Sequence, residues 1–314
     1  MKVIPPSFEI LSGLDKQSML TRIEACGRVC YKSEDKITED SAGPFVKNVL
    51  KRKHNSVAEM AVLTITVSAD NENDIAGLFR AIPKYFSVDL LDSASVILTG
   101  SVRAFRELTL FHSQFSIVQA ISAYLGERYP QFYFDLIPEN GWQKIEGFQF
   151  EKISLQDVDK MTADLLAKHR HVAVKIITNR AVTHEIVRHR PVAYLQESQR
   201  YCRYDKDQFG NEVTFIKPMF YSEETPEYKL WEKAMAATEK IYLELLKTSS
   251  PQAARTVLPN SCKTEIIVFA NLLQWRHIFR LRTPPTAEPS MREIMIPLQK
   301  EFAKMFPDVF SDNN

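Results

Sequence analysis

His171-Val-Ala-Val-Lys-Ile-Ile177 runs directly into Thr178-Asn179 and then into Arg180-Ala-Val-Thr-His-Glu-Ile-Val-Arg188. The first seven residues are apolar and β-branched, the composition of a strand. Thr178 or Asn179 supplies the short side-chain acceptor of a helix N-cap, so Thr183 to Arg188 are expected on a helix. A strand feeding a capped helix sets the class as α/β (α+β).

Upstream of this junction, Ala61-Val-Leu-Thr-Ile-Thr-Val67 predicts another strand, which Ser68 to Asn73 break. Residues 15–30 and 40–53 carry helical apolar spacing, with Phe45, Val46, Val49 and Leu50 as an example. Residues 1–10 read as a first strand, bent at Pro5-Pro6. Residues 69–170 look like an inserted helical segment, with helices over 74–86, 101–112 and 115–128 and a Pro/Gly-punctuated stretch from 130 to 147. Downstream, 211–216 reads as a short strand. Thr225-Pro226 and Ser250-Pro251 each pair an N-cap with proline at the first helical position. Trp231, Ala234, Thr238, Ile241 and Leu245 would form the apolar stripe of the first of these helices. Long helices are predicted over 263–282 and 287–305, and a frayed tail over 311–314. The expected architecture is one domain over 1–314, a mixed sheet with flanking helices and a helical C-terminal half.

Composition narrows the function classes. The 314 residues are 45% hydrophobic and 25% charged, enough to bury a sizeable core. Forty Lys+Arg against 39 Asp+Glu leave a net charge of +1, which disfavours a general polyanion-binding surface. Cys26, Cys30, Cys202 and Cys262 are too few for a disulfide framework, and no zinc-finger spacing accompanies them, so reduced thiols and no metal site are expected. The N-terminal MKVIPPSFEIL lacks the pattern of a signal peptide, and the apolar run Ile266 to Ala270 is far too short to span a bilayer. The expectation is a soluble, cytoplasmic protein.

Two windows break the neutral balance. Arg188 to Arg203 holds four arginines against one carboxylate, and Arg276-His-Ile-Phe-Arg-Leu-Arg282 holds three arginines in seven residues. Arginine presents a planar fork of donors suited to phosphate or to a heterocyclic edge. Arginine-rich helix ends also serve simply as solvated surface, but Tyr194, Gln196, Ser198, Gln199 and Tyr201 interleave with these. An RNA-binding patch would share that mixture. His54-Asn-Ser-Val-Ala-Glu59 lies between a helix and a strand, where it would either cradle a phosphate or ribose or close the helix C-terminus. Ala254-Arg255-Thr-Val-Leu-Pro259 places an arginine near an expected helix start, where an anion or a salt bridge would accompany it.

In order and spacing, these windows resemble the flavin-dependent thymidylate synthases. The resemblance rests on Arg188-His189-Arg190, Ser198 and Arg200-Tyr201, on Val29-Cys-Tyr-Lys-Ser33, on His54, Ser56 and Glu59, and on Arg255, Leu258 and Pro259. Asn271, Trp275-Arg276-His277 and Arg282 continue it. Ala193, Leu195, Gln196, Gln252 and Thr286 stand where the family's common form has serine, asparagine, glutamate, glutamate and histidine. The longer members often read Gln-Glu-Ser-x-Arg-Tyr-Cys, as Gln196 to Cys202 do here.

The resemblance implies a methyltransferase that makes dTMP from dUMP, with methylenetetrahydrofolate as carbon donor, FAD as hydride carrier and NADPH as reductant. It implies flavin contacts at His54, Ser56, Arg188, His189, Arg190, Gln196, Asn271, Leu272, Leu273 and His277. The nucleotide site would be Glu185, Ile186, Val187, Arg188, Gln196, Glu197, Ser198, Gln199, Arg200, Arg255 and Arg282, with Arg282 activating the pyrimidine. A homotetramer with sites between subunits would follow, without nucleic-acid or membrane partners. The alternatives are a relative acting on another pyrimidine nucleotide and an RNA- or polyanion-binding protein without catalysis.

Overall fold

The computed structural model describes residues 1–81, 85–206 and 209–310. Among these residues, ten strands form two four-stranded sheets and one two-stranded pair. Strands β1 (Lys2–Ile4) and β2 (Ser7–Ile10) are followed by β3 (Val62–Ala69), β4 (Phe86–Asp92), β5 (Ser95–Ser101) and β6 (Phe148–Lys152). The later ones are β7 (His171–Asn179), β8 (Ala193–Gln196), β9 (Thr214–Ile216) and β10 (Lys263–Asn271). One sheet has the order β2-β7-β10-β8 and the other β4-β5-β3-β6, and both are antiparallel throughout. The β1-β9 pair is parallel.

The α/β class is as expected, with specific corrections. Pro5-Pro6 divides the N-terminal strand in two, and the halves join different sheets. Proline lacks the N–H a ladder needs, so the pair acts as a switch between sheets. The 69–170 segment is not purely helical: β4, β5 and β6 flank β3 in a sheet of their own. The 74–86 helix is shorter than expected, Glu72–Ala81, and Phe86 already belongs to β4. Its expected residues 82–84, and the tail 311–314, lie outside the described residues. The 211–216 strand shrinks to three residues.

The larger correction concerns 263–282. Residues Lys263–Asn271 form β10, and only Leu272–Arg282 is helical. β10 is the inner strand between β7 and β8, and its seven interior residues are all buried. A strand covered on both faces reads as a continuous apolar run, which periodicity cannot separate from helix. The C-terminal half therefore contributes the sheet's inner strand as well as its helices.

The stripe on the Pro226–Leu246 helix also moves. The helix buries Tyr228, Met235, Tyr242 and Leu246, whereas Ala234 and Ile241 face outward. The caps hold: Asn179, Thr225 and Ser250 each accept from the backbone N–H three residues on. Trp275, Phe279 and Phe302 pack in one core under the β2-β7-β10-β8 sheet, and the indole N–H donates to Val172 O at 3.1 Å.

Candidate functional site

The sheet delivers the arginine windows to a few places. β7 passes into the Arg180–Ile186 helix, whose cap is Asn179. β10 passes into the Leu272–Arg282 helix, whose cap is Asn271, accepting from Gln274 N at 2.8 Å. The two helices leave neighbouring antiparallel strands at opposite ends, with Asn271 registered against His171 and Lys263 against Asn179.

The far end of the second helix nevertheless meets the end of the first. Arg282 Nη1 lies 2.6 Å from Glu185 Oε2, Nη2 donates to Glu185 O at 3.3 Å, and Nε donates to His189 Nε2 at 3.0 Å. Arginine has five N–H groups. These contacts use three and leave one hydrogen on each Nη. A ring nitrogen that accepts from arginine must carry a lone pair, so His189 is neutral with its proton on Nδ1. Burial, the Arg282 charge and His277 agree in pushing its pKa down to about 4. The His277 ring meets it edge-on at 5.8 Å. Tyr194 closes the corner, donating to Ile186 O at 2.7 Å, while its ring lies under Arg190 at 5.7 Å.

The 196–204 segment forms a second group. Gln196 Nε2 donates to Thr183 Oγ1 and Thr264 Oγ1 at 3.0 and 3.1 Å, which fixes its amide. Ser198 N donates to Cys30 O at 3.0 Å, docking the segment on the end of the Met19–Val29 helix. Glu197 is buried, with one oxygen on Tyr204 OH at 2.8 Å and the other on Lys263 at 2.9 Å. Its carboxylate is committed to an inward network that continues through Glu265 to Lys32. Gln199 is buried too, and its Nε2 has no partner among the described residues. Arg200 is exposed; its Nε reaches Gln252 Oε1 at 3.3 Å and its guanidinium stacks over Tyr201 at 5.6 Å. Arg255 does not start a long helix. It opens a single 3-10 turn, Arg255–Val257, after the four-residue helix Pro251–Ala254.

His54 and Ser56 sit on the turn after the Ala42–Lys51 helix. Lys53, at φ +59°, donates to Leu50 O and His54 N donates to Val49 O, so the backbone closes the helix in a Schellman arrangement. The imidazole is thus not needed for capping and contacts Tyr31 OH at 3.3 Å. Tyr31 packs against Tyr201 at 5.4 Å, which joins this turn to the 196–204 segment.

A cavity of about 710 Å³ lies between the two four-stranded sheets. Arg190, Asn271 and Leu273 line it on one side, and Ser87, Arg103 and Glu107 on the other. An outer pocket of about 720 Å³ shares Arg190 and Leu273 and adds Arg276, His277 and Arg280. Ile186 and Leu272, by contrast, are packed in the core, so only their backbone can face a ligand. Glu59 was visible as a motif residue, but its pairing with Arg103 was not, because 44 positions separate them. Among the described residues no helix is long and apolar enough to cross a membrane, and no group of three or more His, Cys, Asp or Glu is placed to hold a metal ion.

Fold and site together define an α/β protein with a ligand-sized cavity whose mouth is rich in arginine. Residues 153–308 match the family model described as thymidylate synthase complementing protein. The flavin-dependent thymidylate synthase of Pyrococcus furiosus is 34% identical over 172 residues, covering 52% of this chain and 70% of that protein. That of Mycobacteroides abscessus is 30% identical over 150 residues, 43% of this chain and 58% of that one. Among solved structures, a UMP/dUMP methylase from Streptomyces cacaoi bound with 5-Br dUMP aligns over 99% of this chain and 95% of that one, with a TM-score of 0.42 at 12% identity. The chain belongs to the flavin-dependent thymidylate synthase family, a family of methyltransferases.

Proposed function

We propose that this protein converts dUMP to dTMP, taking the carbon from methylenetetrahydrofolate, with FAD as cofactor and NADPH as its reductant. The carrying observation is the Arg282 cluster. A guanidinium held on three sides, with two hydrogens left over, is a preorganised donor for a pyrimidine edge. Placed beside N3 and O4, it favours the ionised ring, because an opposite charge stabilises the charged form. Ionisation raises electron density at C5, the carbon to be alkylated.

The residues present suit a flavin dinucleotide. The inner cavity has the volume of a cofactor site, with the rings of Phe86, Tyr194 and Phe269 in its walls. Arg190, Arg276 and Arg280 supply positive charge at its mouth. Arg190, Leu273, His277 and the backbone at Asn271 would hold the cofactor, whereas Ser56 is exposed on the 55–60 turn and lines neither pocket, so it would contact only a part that extends beyond them. When bound, the flavin supplies the hydride. Neutral His189 keeps Arg282 aimed, and Glu185 balances its charge.

Nucleotide-binding residues fall into two groups on this chain. Arg282 and Glu185 bind each other, whereas Arg200 turns to Gln252 and Tyr201. Each group would be completed by the other group of a second copy, as in a homotetramer with sites between subunits. The test is a substrate panel of dUMP, UMP and dCMP, scored by flavin reoxidation and methylated product. Methylation of dUMP by an FAD-loaded tetramer is the expected result. A colourless protein that cannot be reconstituted with FAD would refute the proposal.

A further inference from the structure

Glu59, Arg103 and Glu107 form a charged cluster to which the reaction above gives no role. Arg103 Nη1 lies 2.6 Å from Glu59 Oε1, and its Nε lies 2.7 Å from Glu107 Oε1. Neither ion pair uses Nη2. Arg103 stands in the first turn of the Val102–Phe111 helix, whose cap Ser101 accepts from Ala104 N, and Glu107 is one turn further on. Glu59 is the penultimate residue of the Asn55–Met60 turn. All three line the inner cavity.

The two pockets differ in charge. The inner cavity sets Arg103 and Arg190 against Glu59 and Glu107, and is balanced. The outer pocket adds Arg276 and Arg280 without a carboxylate. A ligand running through both is best matched with its negative charge outside and a neutral group inside, against the ring walls of Phe86, Tyr194 and Phe269. We infer that the inner cavity takes the adenine ring of the dinucleotide, read by Glu59, Arg103 and Glu107, while the outer arginines take its pyrophosphate. This rests on the flavin reading above.

The donor pattern selects that ring. Each carboxylate has about four lone-pair sites, so its contact with Arg103 leaves room to accept from an exocyclic amino group. Nη2 of Arg103 would donate to the ring nitrogen beside that amino group. The isoalloxazine edge offers one ring N–H between two carbonyl oxygens. With carboxylates on both sides of Arg103, at least one would face a carbonyl oxygen, an acceptor against an acceptor. A phosphate has less to gain in the inner cavity, where two carboxylates offset two arginines, than in the outer pocket, where three arginines face no carboxylate.

The experiment is equilibrium binding to the full-length apoprotein, read by flavin fluorescence quenching. FAD, FMN and the FAD-competing probes AMP and IMP are compared on the wild-type chain, Glu107→Gln and Arg103→Met. AMP is expected to displace FAD at least about tenfold better than IMP, which carries a carbonyl in place of the amino group. Both substitutions should weaken FAD by about tenfold and leave FMN, which has no adenine, within about twofold. Equal loss of FAD and FMN, or equal competition by AMP and IMP, would overturn the inference while leaving the flavin reading intact. A wild-type chain that binds neither FAD nor FMN would overturn both. The AMP and IMP comparison needs no substitution, so it stands even if a variant fails to fold.

Discussion

Replacing Arg282 with methionine should release His189 from much of its electrostatic suppression. In the native chain burial, then Arg282, then His277 push the His189 pKa from 6.5 to about 4. Two unit charges 4 Å apart interact by about 1 kcal/mol in water and about 4 kcal/mol at an effective dielectric of 20. A pair that is buried on the histidine side and partly exposed on the arginine side falls between, nearer the lower figure. Removing the guanidinium should then raise the His189 pKa by about one pH unit, or about 1.4 kcal/mol. Burial and His277 remain, so it should not return to 6.5.

The same substitution alters acid stability. Between pH 6.5 and 4 the unfolded chain binds a proton at this residue that the native chain does not, so native stability falls as pH drops through that window. The gap between the two values sets a ceiling of about 3.4 kcal/mol, which solvent screening at this half-open site reduces, and the cost is fully developed only below the window. Arg282→Met should flatten the fall. Histidine side-chain NMR across pH 3–8, with urea melts at pH 7 and 5, measures both quantities. A His189 titration unchanged in the variant would mean that the Arg282 contact does not set its protonation.

Other substitutions separate the roles assigned above. Arg282→Ala should still bind FAD and be reduced by NADPH, yet form dTMP on the order of 10²-fold more slowly in a single turnover; a near-normal yield would assign activation elsewhere. Arg200→Ala should weaken dUMP by more than about tenfold with flavin retained, since a charge-assisted contact is worth about 1.5–3 kcal/mol, and calorimetric titration would show it. Ser56→Ala should lower FAD retention on gel filtration without lowering the melting temperature. At Gly126 an added Cβ would meet Trp142 Cε2 at 2.2 Å, so Gly126→Ala should cost about 1–3 kcal/mol in a denaturant melt unless the indole swings clear.

Local signals carried much of the architecture. Met19–Val29 and Ala42–Lys51 follow from apolar spacing and the start of Pro226–Leu246 from its Thr225 cap, because these signals act within a turn or two. β10 escapes a local reading because its environment, with β7 on one side and β8 on the other, is built from residues about 70 to 100 positions away. The Pro226–Leu246 helix shows the same limit: its apolar residues cover two faces, and only packing decides that Tyr242 goes in and Ile241 stays out. At the site, Arg282 and His189 were legible as motif residues, but their hydrogen bond spans 93 positions. The Glu59–Arg103 pair is equally hidden, since its partners stand 44 positions apart on separate elements.

β10 also fixes the order in which the chain can mature during synthesis. β7 and β8 lie beside it rather than beside each other, so the sheet β2-β7-β10-β8 cannot close until residue 271 has left the ribosome. Until then β7 has β2 as its only partner in this sheet, and the apolar faces of Val172, Val174 and Ile176 lack their cover from Ile266, Val268 and Ala270. The β4-β5-β3-β6 sheet needs nothing beyond residue 152 and can assemble far earlier. A nascent chain stalled between residues 180 and 262 is therefore half-built, with an open β edge that invites chaperones or pairing with another chain.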